Sequence, residues 1–165
     1  MKKFCSVVAL VLLLLSACTR ENDDRPTAPV ELGRSEITRT IGDRFASLVI
    51  EVEPPVAVVG DEITWRLHNR GDVVISYGRA YHIERRTLDS WTVVPNHISF
   101  TWDLPALRPG DSTDPATLAV YDKKGDRVQL GAGTYRFILR GVHLGPAERA
   151  ESTRVTAEFR IRADG

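Results

Sequence analysis

From Phe45 onward, apolar and polar residues alternate in short runs, and each run stops at Gly, Pro, Asn or Asp. Leu48, Ile50 and Val52 alternate up to Pro54-Pro55, and Ile63, Trp65 and Leu67 alternate with Thr64, Arg66 and His68 up to Asn69-Arg70-Gly71-Asp72. A period of two marks a strand with one buried face, because successive side chains leave a pleated sheet on opposite sides. The same spacing predicts strands over 73–76, 80–86, 91–94, 98–104, 117–121, 134–140 and 153–161. Tyr81 and Ile83 share one face, as do Ile98, Phe100 and Trp102, and likewise Val155, Ala157, Phe159 and Ile161. Leu107-Arg108-Pro109-Gly110-Asp111 is a turn by its chemistry, since Pro presets φ and Gly accepts the left-handed region. No helical window exceeds two turns. The expectation is an all-β domain, a sandwich of two antiparallel sheets with about eight strands, with a barrel as the alternative.

The N-terminus follows another rule. Lys2 and Lys3 precede an uncharged run from Phe4 to Leu15, and Ser16-Ala17-Cys18 follows. This matches a secretory signal peptide, and the run is shorter than the roughly 20 apolar residues of a spanning helix. Leu15-Ser16-Ala17-Cys18 resembles the bacterial lipobox. That resemblance implies diacylglycerol on the Cys18 sulfur, cleavage before Cys18, and acylation, as with palmitate, of the new N-terminus. The alternative is an ordinary secreted protein with an incidental Cys. Against it, Cys18 closes the apolar run and Thr19-Arg20-Glu21-Asn22-Asp23-Asp24 turns polar at once. With two or three acyl chains, anchoring is effectively permanent. Thr19 in place of Asp implies, by the same resemblance, an outer-membrane destination if the cell is Gram-negative.

The chain thus divides into a signal peptide (1–17), a lipidated Cys with a flexible tether (18–43) and a folded domain (44–165). About 25 tether residues reach roughly 25 to 30 Å. A second reading of the same stretch makes Val30, Leu32, Ile37 and Ile41 an extra edge strand or short helix against the domain.

Composition narrows the function classes. At 165 residues, 42% hydrophobic and 27% charged, the chain has the makeup of one globular domain with a tail. Its 22 basic and 22 acidic residues leave no excess for nucleic-acid binding. Removing Lys2 and Lys3 leaves 20 basic against 22 acidic residues, so net charge gives no polybasic attraction to lipid. Both Cys lie within the first 18 residues, which excludes a Cys-type zinc site, a disulfide framework and a Cys nucleophile in the domain.

The residues Leu67-His68-Asn69, Ile75-Ser76-Tyr77-Gly78, Tyr81-His82-Ile83-Glu84, Trp91 with Val93, Leu107-Arg108-Pro109-Gly110-Asp111-Ser112 and Gly133-Thr134-Tyr135-Arg136-Phe137 resemble a family of bacterial immunoglobulin-like domains. The resemblance runs from Leu48 to about Val142 and implies an immunoglobulin-like sandwich without a catalytic set. Leu130-Gly131-Ala132-Gly133-Thr134-Tyr135 resembles a tyrosine corner, and Leu67 and Phe137 stand where an inter-sheet disulfide is usual. The alternative for Tyr135 is a plain core aromatic. A weaker resemblance to bacterial intracellular proteinase inhibitors rests on the Asn-ending strand, the Pro-Gly turn and the Gly-x-Tyr strand.

Candidate chemistry is sparse. No nucleophile elbow, phosphate loop, dinucleotide fingerprint or His-Glu-x-x-His is present. His82-Ile83-Glu84 lacks the Cys pair of a zinc deaminase, and His68, His82, His97 and His143 would need to converge to hold a metal. Asp122-Lys123-Lys124-Gly125-Asp126 reads as a hairpin turn without calcium-loop spacing. Arg79, His82, Arg85 and Arg86, with Arg66 nearby, suggest a basic strand face for an anionic partner; the alternative, and the simpler reading, is a solvated outer face in which Arg protects an edge strand from pairing. Loops 70–73 and 121–128 are the expected contact loops. The reading is a non-catalytic envelope lipoprotein, membrane-bound through Cys18, without cofactor or nucleic acid, whose domain binds an envelope protein or cell-wall component. A secreted or periplasmic proteinase inhibitor is the alternative.

Overall fold

The computed structural model describes residues 31–101, 103–145 and 152–164. Among the described residues there are eleven strands: β1 (Arg34–Ile41), β2 (Arg44–Glu53), β3 (Val56–Val58), β4 (Thr64–Asn69), β5 (Ile75–Tyr77), β6 (Tyr81–Thr87), β7 (Ser90–Val94), β8 (Ala106–Leu107), β9 (Ala116–Thr117), β10 (Gly133–Leu144) and β11 (Ser152–Arg162). One sheet has the order β1-β2-β4-β9. The other runs β3-β11-β10-β5-β8, with β6 beside β10 and β7 beyond β6.

Strands β2, β4, β6, β10 and β11 form where the alternation predicts them, because one face of each has a core to enter. Ala46, Leu48, Ile50 and Val52 of β2 and Trp65 and Leu67 of β4 meet Tyr81, Ile83, Phe137, Leu139, Val155, Ala157, Phe159 and Ile161 of the other sheet in one buried cluster. Trp65 and Phe137 bridge the sheets with ring centroids 5.0 Å apart, and Tyr81 lies 4.9 Å from Phe137. Leu67, fully buried in the same cluster, accompanies Phe137 as the sequence suggests, and the ring contact to Phe137 comes from Trp65.

The ladders are antiparallel except one. At Pro54-Pro55 the chain cannot continue donating to the β2 ladder; it leaves that sheet and enters the second as β3, parallel to β11. Strand β10 serves two neighbours on one side. Tyr135 to Leu139 pair with β6 and Val142 to Leu144 pair with β5. Between them β10 holds one residue more than β11, and Gly141 takes φ +68° there, a glycine-centred bulge.

Three expectations change, the first at residues 117–121, where the strand is confined to Ala116–Thr117 (β9). Residues 34–41, read as tether or as an edge strand, are the edge strand: β1 pairs with β2 from Arg34↔Glu51 to Ile41↔Arg44. The reason is local, since Ile37 and Ile41 cover the core and Gly33 donates to the Glu158 carbonyl while accepting from Val52 N. Residues 98–104 alternate but carry no strand among the described residues. A side chain holds the start of the segment instead: Asn96 accepts from Ile98 N and Tyr121 N and donates to the Ala119 carbonyl, and Phe100 reaches Tyr81 at 5.1 Å without a ladder. Trp102 and the leader with Cys18 lie outside the described residues.

Candidate binding surface

Strand parity decides which charges share a face. With Tyr81 and Ile83 pointing to the core, His82, Glu84 and Arg86 point outward and Arg85 points to the core side. Arg85 bends over the end of the sandwich, 5.9 Å from the Tyr135 ring centroid, and donates to the Ala132 carbonyl at 2.8 Å. Arg79 precedes β6 and pairs with Asp103 at 3.2 Å. Arg66 lies in the other sheet, paired with Glu51 and Glu53. Of the basic group expected from sequence, the structure keeps only His82 and Arg86 on one face.

That face gains other arginines from strands distant in sequence. Register places Arg136 and Arg140 of β10 beside β6, and Arg154, Arg160 and Arg162 of β11 beyond them. With Arg86 these are six guanidinium groups, against Glu84 and Glu158. Arg136 donates through Nε to Glu84 at 2.5 Å and stacks 4.5 Å over the Trp91 ring. His82 lies between Glu84 and Arg140, 3.5 Å from each. Burial and the Arg140 charge hold the His82 imidazole below its ordinary value of 6.5. Arg86, Arg154, Arg160 and Arg162 are exposed and form no ion pair with a described residue.

The opposite outer face carries a polar clasp. Glu51 accepts from Arg66 at 3.0 Å and lies 2.9 Å from His68 Nε2, while His68 Nδ1 lies 2.5 Å from the Ser112 hydroxyl. Serine, imidazole and carboxylate stand in the order of a nucleophile with its base and orienting acid. Yet the carboxylate is shared with Arg66, a permanent cation, so it supports the imidazole less than a dedicated partner would. What the group does structurally is join β2, β4 and the segment after Gly110. Burial works to raise the Glu51 pKa, and the hydrogen bonds and charges of His68 and Arg66 outweigh it, holding the carboxyl below its ordinary 4.5.

The expected contact loops are tightly held. Asn69, fully buried, donates to the Val73 and Leu107 carbonyls at 2.7 and 2.9 Å and accepts from Gly71 N. In the second loop Asp122 accepts from Lys124 N and Asp126 N, and Gly125 takes φ +87°, a hairpin as its chemistry suggests. Two open clefts, about 410 and 680 Å³, lie beside Ile63 and Leu118 and beside Tyr77, Phe100 and Thr113. Among the described residues no three His, Cys, Asp or Glu side chains gather around a common metal position, and no helix is long and apolar enough to cross a membrane.

The sequence profile of a bacterial Ig-like domain family matches residues 45–160. No curated protein matches the chain. Among solved structures, the chain matches a β-glucosidase from Erythrobacter marinus, 13% identical over 78% of this chain and 16% of that one at a TM-score of 0.32, and a β-glucosidase from Listeria innocua, 16% identical over 78% and 16% at 0.29. The chain spans about one sixth of the length of either enzyme.

Proposed function

Since the chain belongs to the bacterial Ig-like domain family, we propose that it is a non-catalytic envelope lipoprotein whose single domain is a binding module held at a membrane by Cys18. The observation that carries the binding reading is the outer face of the β6–β10–β11 sheet, where exposed Arg86, Arg154, Arg160 and Arg162 have no acidic partner among the described residues. An array of unneutralised charge on a rigid sheet favours an anionic partner and raises its rate of encounter. The anchored reading rests on the Leu15-Ser16-Ala17-Cys18 resemblance and on Thr19, which favours the outer membrane in a Gram-negative cell.

The proteinase-inhibitor alternative needs an extended projecting loop. Leu88, the most exposed large apolar residue among the described ones, sits instead in a closed two-residue hairpin, Leu88-Asp89, between β6 and β7.

Mass spectrometry of the mature N-terminus, with a membrane pull-down of wild type and Cys18→Ala, tests the proposal. An acylated Cys18 with salt-sensitive envelope partners supports it. An unmodified Cys18 and identical behaviour of the variant would sink the anchor and leave a freely secreted protein.

A further inference from the structure

Resting on the anchored reading above, we infer that the outer face of the β6–β10–β11 sheet lies against the bilayer and binds anionic phospholipid headgroups. Net charge conceals this surface. The outer face of β6, β10 and β11 carries Arg86, Arg136, Arg140, Arg154, Arg160 and Arg162 against Glu84 and Glu158, whereas the opposite outer face sets Glu36, Glu51 and Glu53 against Arg34 and Arg66. A chain with balanced charge therefore presents one cationic side, and only that side matters within a Debye length of about 8 Å from a charged surface.

Charge alone would suit any polyanion; the rim selects a bilayer. Parity puts Val93 of β7 and Val58 of β3 on this same face, at its two lateral edges, 54% and 37% exposed. At the end of the β6–β7 hairpin Leu88 is 95% exposed, presented by a left-handed backbone at φ +52°. Trp91, on the same face, stacks with Arg136. Apolar residues and a tryptophan bordering a basic surface are the composition of a protein that lies in the headgroup layer, where cations meet phosphates and the rim enters the acyl boundary. A soluble acidic polymer offers nothing for Leu88 or Val93 to enter. The span from Cys18 to Gly33 limits the domain to roughly 50 Å from its anchor, so the face samples headgroups continually.

The test is co-sedimentation of full-length Cys18→Ala protein with pure phosphatidylcholine vesicles and with vesicles containing phosphatidylglycerol. Preferential partition to the anionic vesicles, weakening with salt, is expected. The triple variant Arg154→Gln, Arg160→Gln, Arg162→Gln should lose it by about a hundredfold, at roughly fivefold per arginine, and Leu88→Asp should weaken binding even at high salt. The leader, with Lys2, Lys3 and its apolar run, is common to parent and variants, so it cancels in the ratio of their partition coefficients on the anionic vesicles, and that ratio decides. A correctly folded triple variant that binds the anionic vesicles like its parent, or tighter capture by a soluble acidic polysaccharide, would overturn the inference. The Cys18→Ala background carries no acyl chain, so such a failure bears on this face alone, while an unacylated wild-type N-terminus overturns the anchor alone.

Discussion

The Tyr135 hydroxyl donates to the Gly131 carbonyl oxygen at 2.7 Å, closing the turn that feeds β10 into the sandwich. The ring itself is buried and stacks on Phe159 with centroids 5.5 Å apart. Tyr135→Phe keeps that packing and removes one hydrogen bond. Because Gly131 is exposed, its carbonyl can turn to water, which places the loss at about 1 kcal/mol, the ordinary net value of such a bond. Chemical denaturation should show a shifted midpoint with an unchanged slope. A plain core aromatic would show no loss.

Asn69 makes a larger claim. Its amide satisfies the Val73 and Leu107 carbonyls and the Gly71 amide from a fully buried position, so it stands in for a ladder where β4 ends. Asn69→Ala leaves several buried backbone groups unpaired at once. The expected cost is roughly 3 kcal/mol or more, several times that of Tyr135→Phe. Equal losses for the two variants, measured in the same denaturant series, would contradict the hub assignment.

What the sequence disclosed follows from where each residue had to go. In β2, β4, β6, β10 and β11 the alternation is strong because one side of each strand enters a common core, and the Gly131-to-Tyr135 turn carries its own chemistry. Strand β1 is ambiguous because Ile37 and Ile41 are its only apolar residues, too few to set a period of two. The run from Ile98 to Phe100 misled because alternation reports which side chains are buried, not whether the backbone pairs. Arg85 could have been placed by parity with Tyr81 and Ile83. The arginine face could not, because Arg86, Arg136 and Arg160 become neighbours only through the strand order β11-β10-β6. Alternation within 134–140 and 153–161 held the available hint: Arg136 and Arg140 lie opposite the buried residues, as do Arg154 and Arg160.

Glu51 ties stability to acid. Its carboxyl is held below the ordinary 4.5 by His68 and Arg66 in the folded protein, so near that pH the unfolded chain binds more protons. The contribution is therefore complete above about 4.5 and is lost as pH falls through the lower folded value. Glu51→Gln should be less stable than wild type at neutral pH and should flatten the decline on the acid side. Melting temperatures from neutral pH down to pH 3 check this; parallel curves for the two proteins would show that the clasp does not couple to protonation.

Where the domain begins is decided at Gly33. Gly33 N donates to the Glu158 carbonyl at 2.5 Å and its own carbonyl accepts from Val52 N at 2.6 Å, so one residue links the start of β1 to both sheets. It does so at φ +77°, and a Cβ there would lie 2.6 Å from both Pro55 Cβ and the Val52 carbonyl oxygen. Gly141 also has a positive φ, but a Cβ there meets its nearest neighbour at 3.7 Å. Gly141→Ala should therefore cost only the left-handed backbone penalty of about 1–2 kcal/mol. Gly33→Ala adds a collision with backbone and should cost clearly more. Deleting residues 32–42 should be worse still, since it strips from β2 one of its two partners, along Arg44 to Glu51, and uncovers the Leu48 side of the core. Thermal melts of the three variants should fall in that order. A deletion that melts like wild type would mean that β1 is only an attached tether and that the folded domain starts near residue 44.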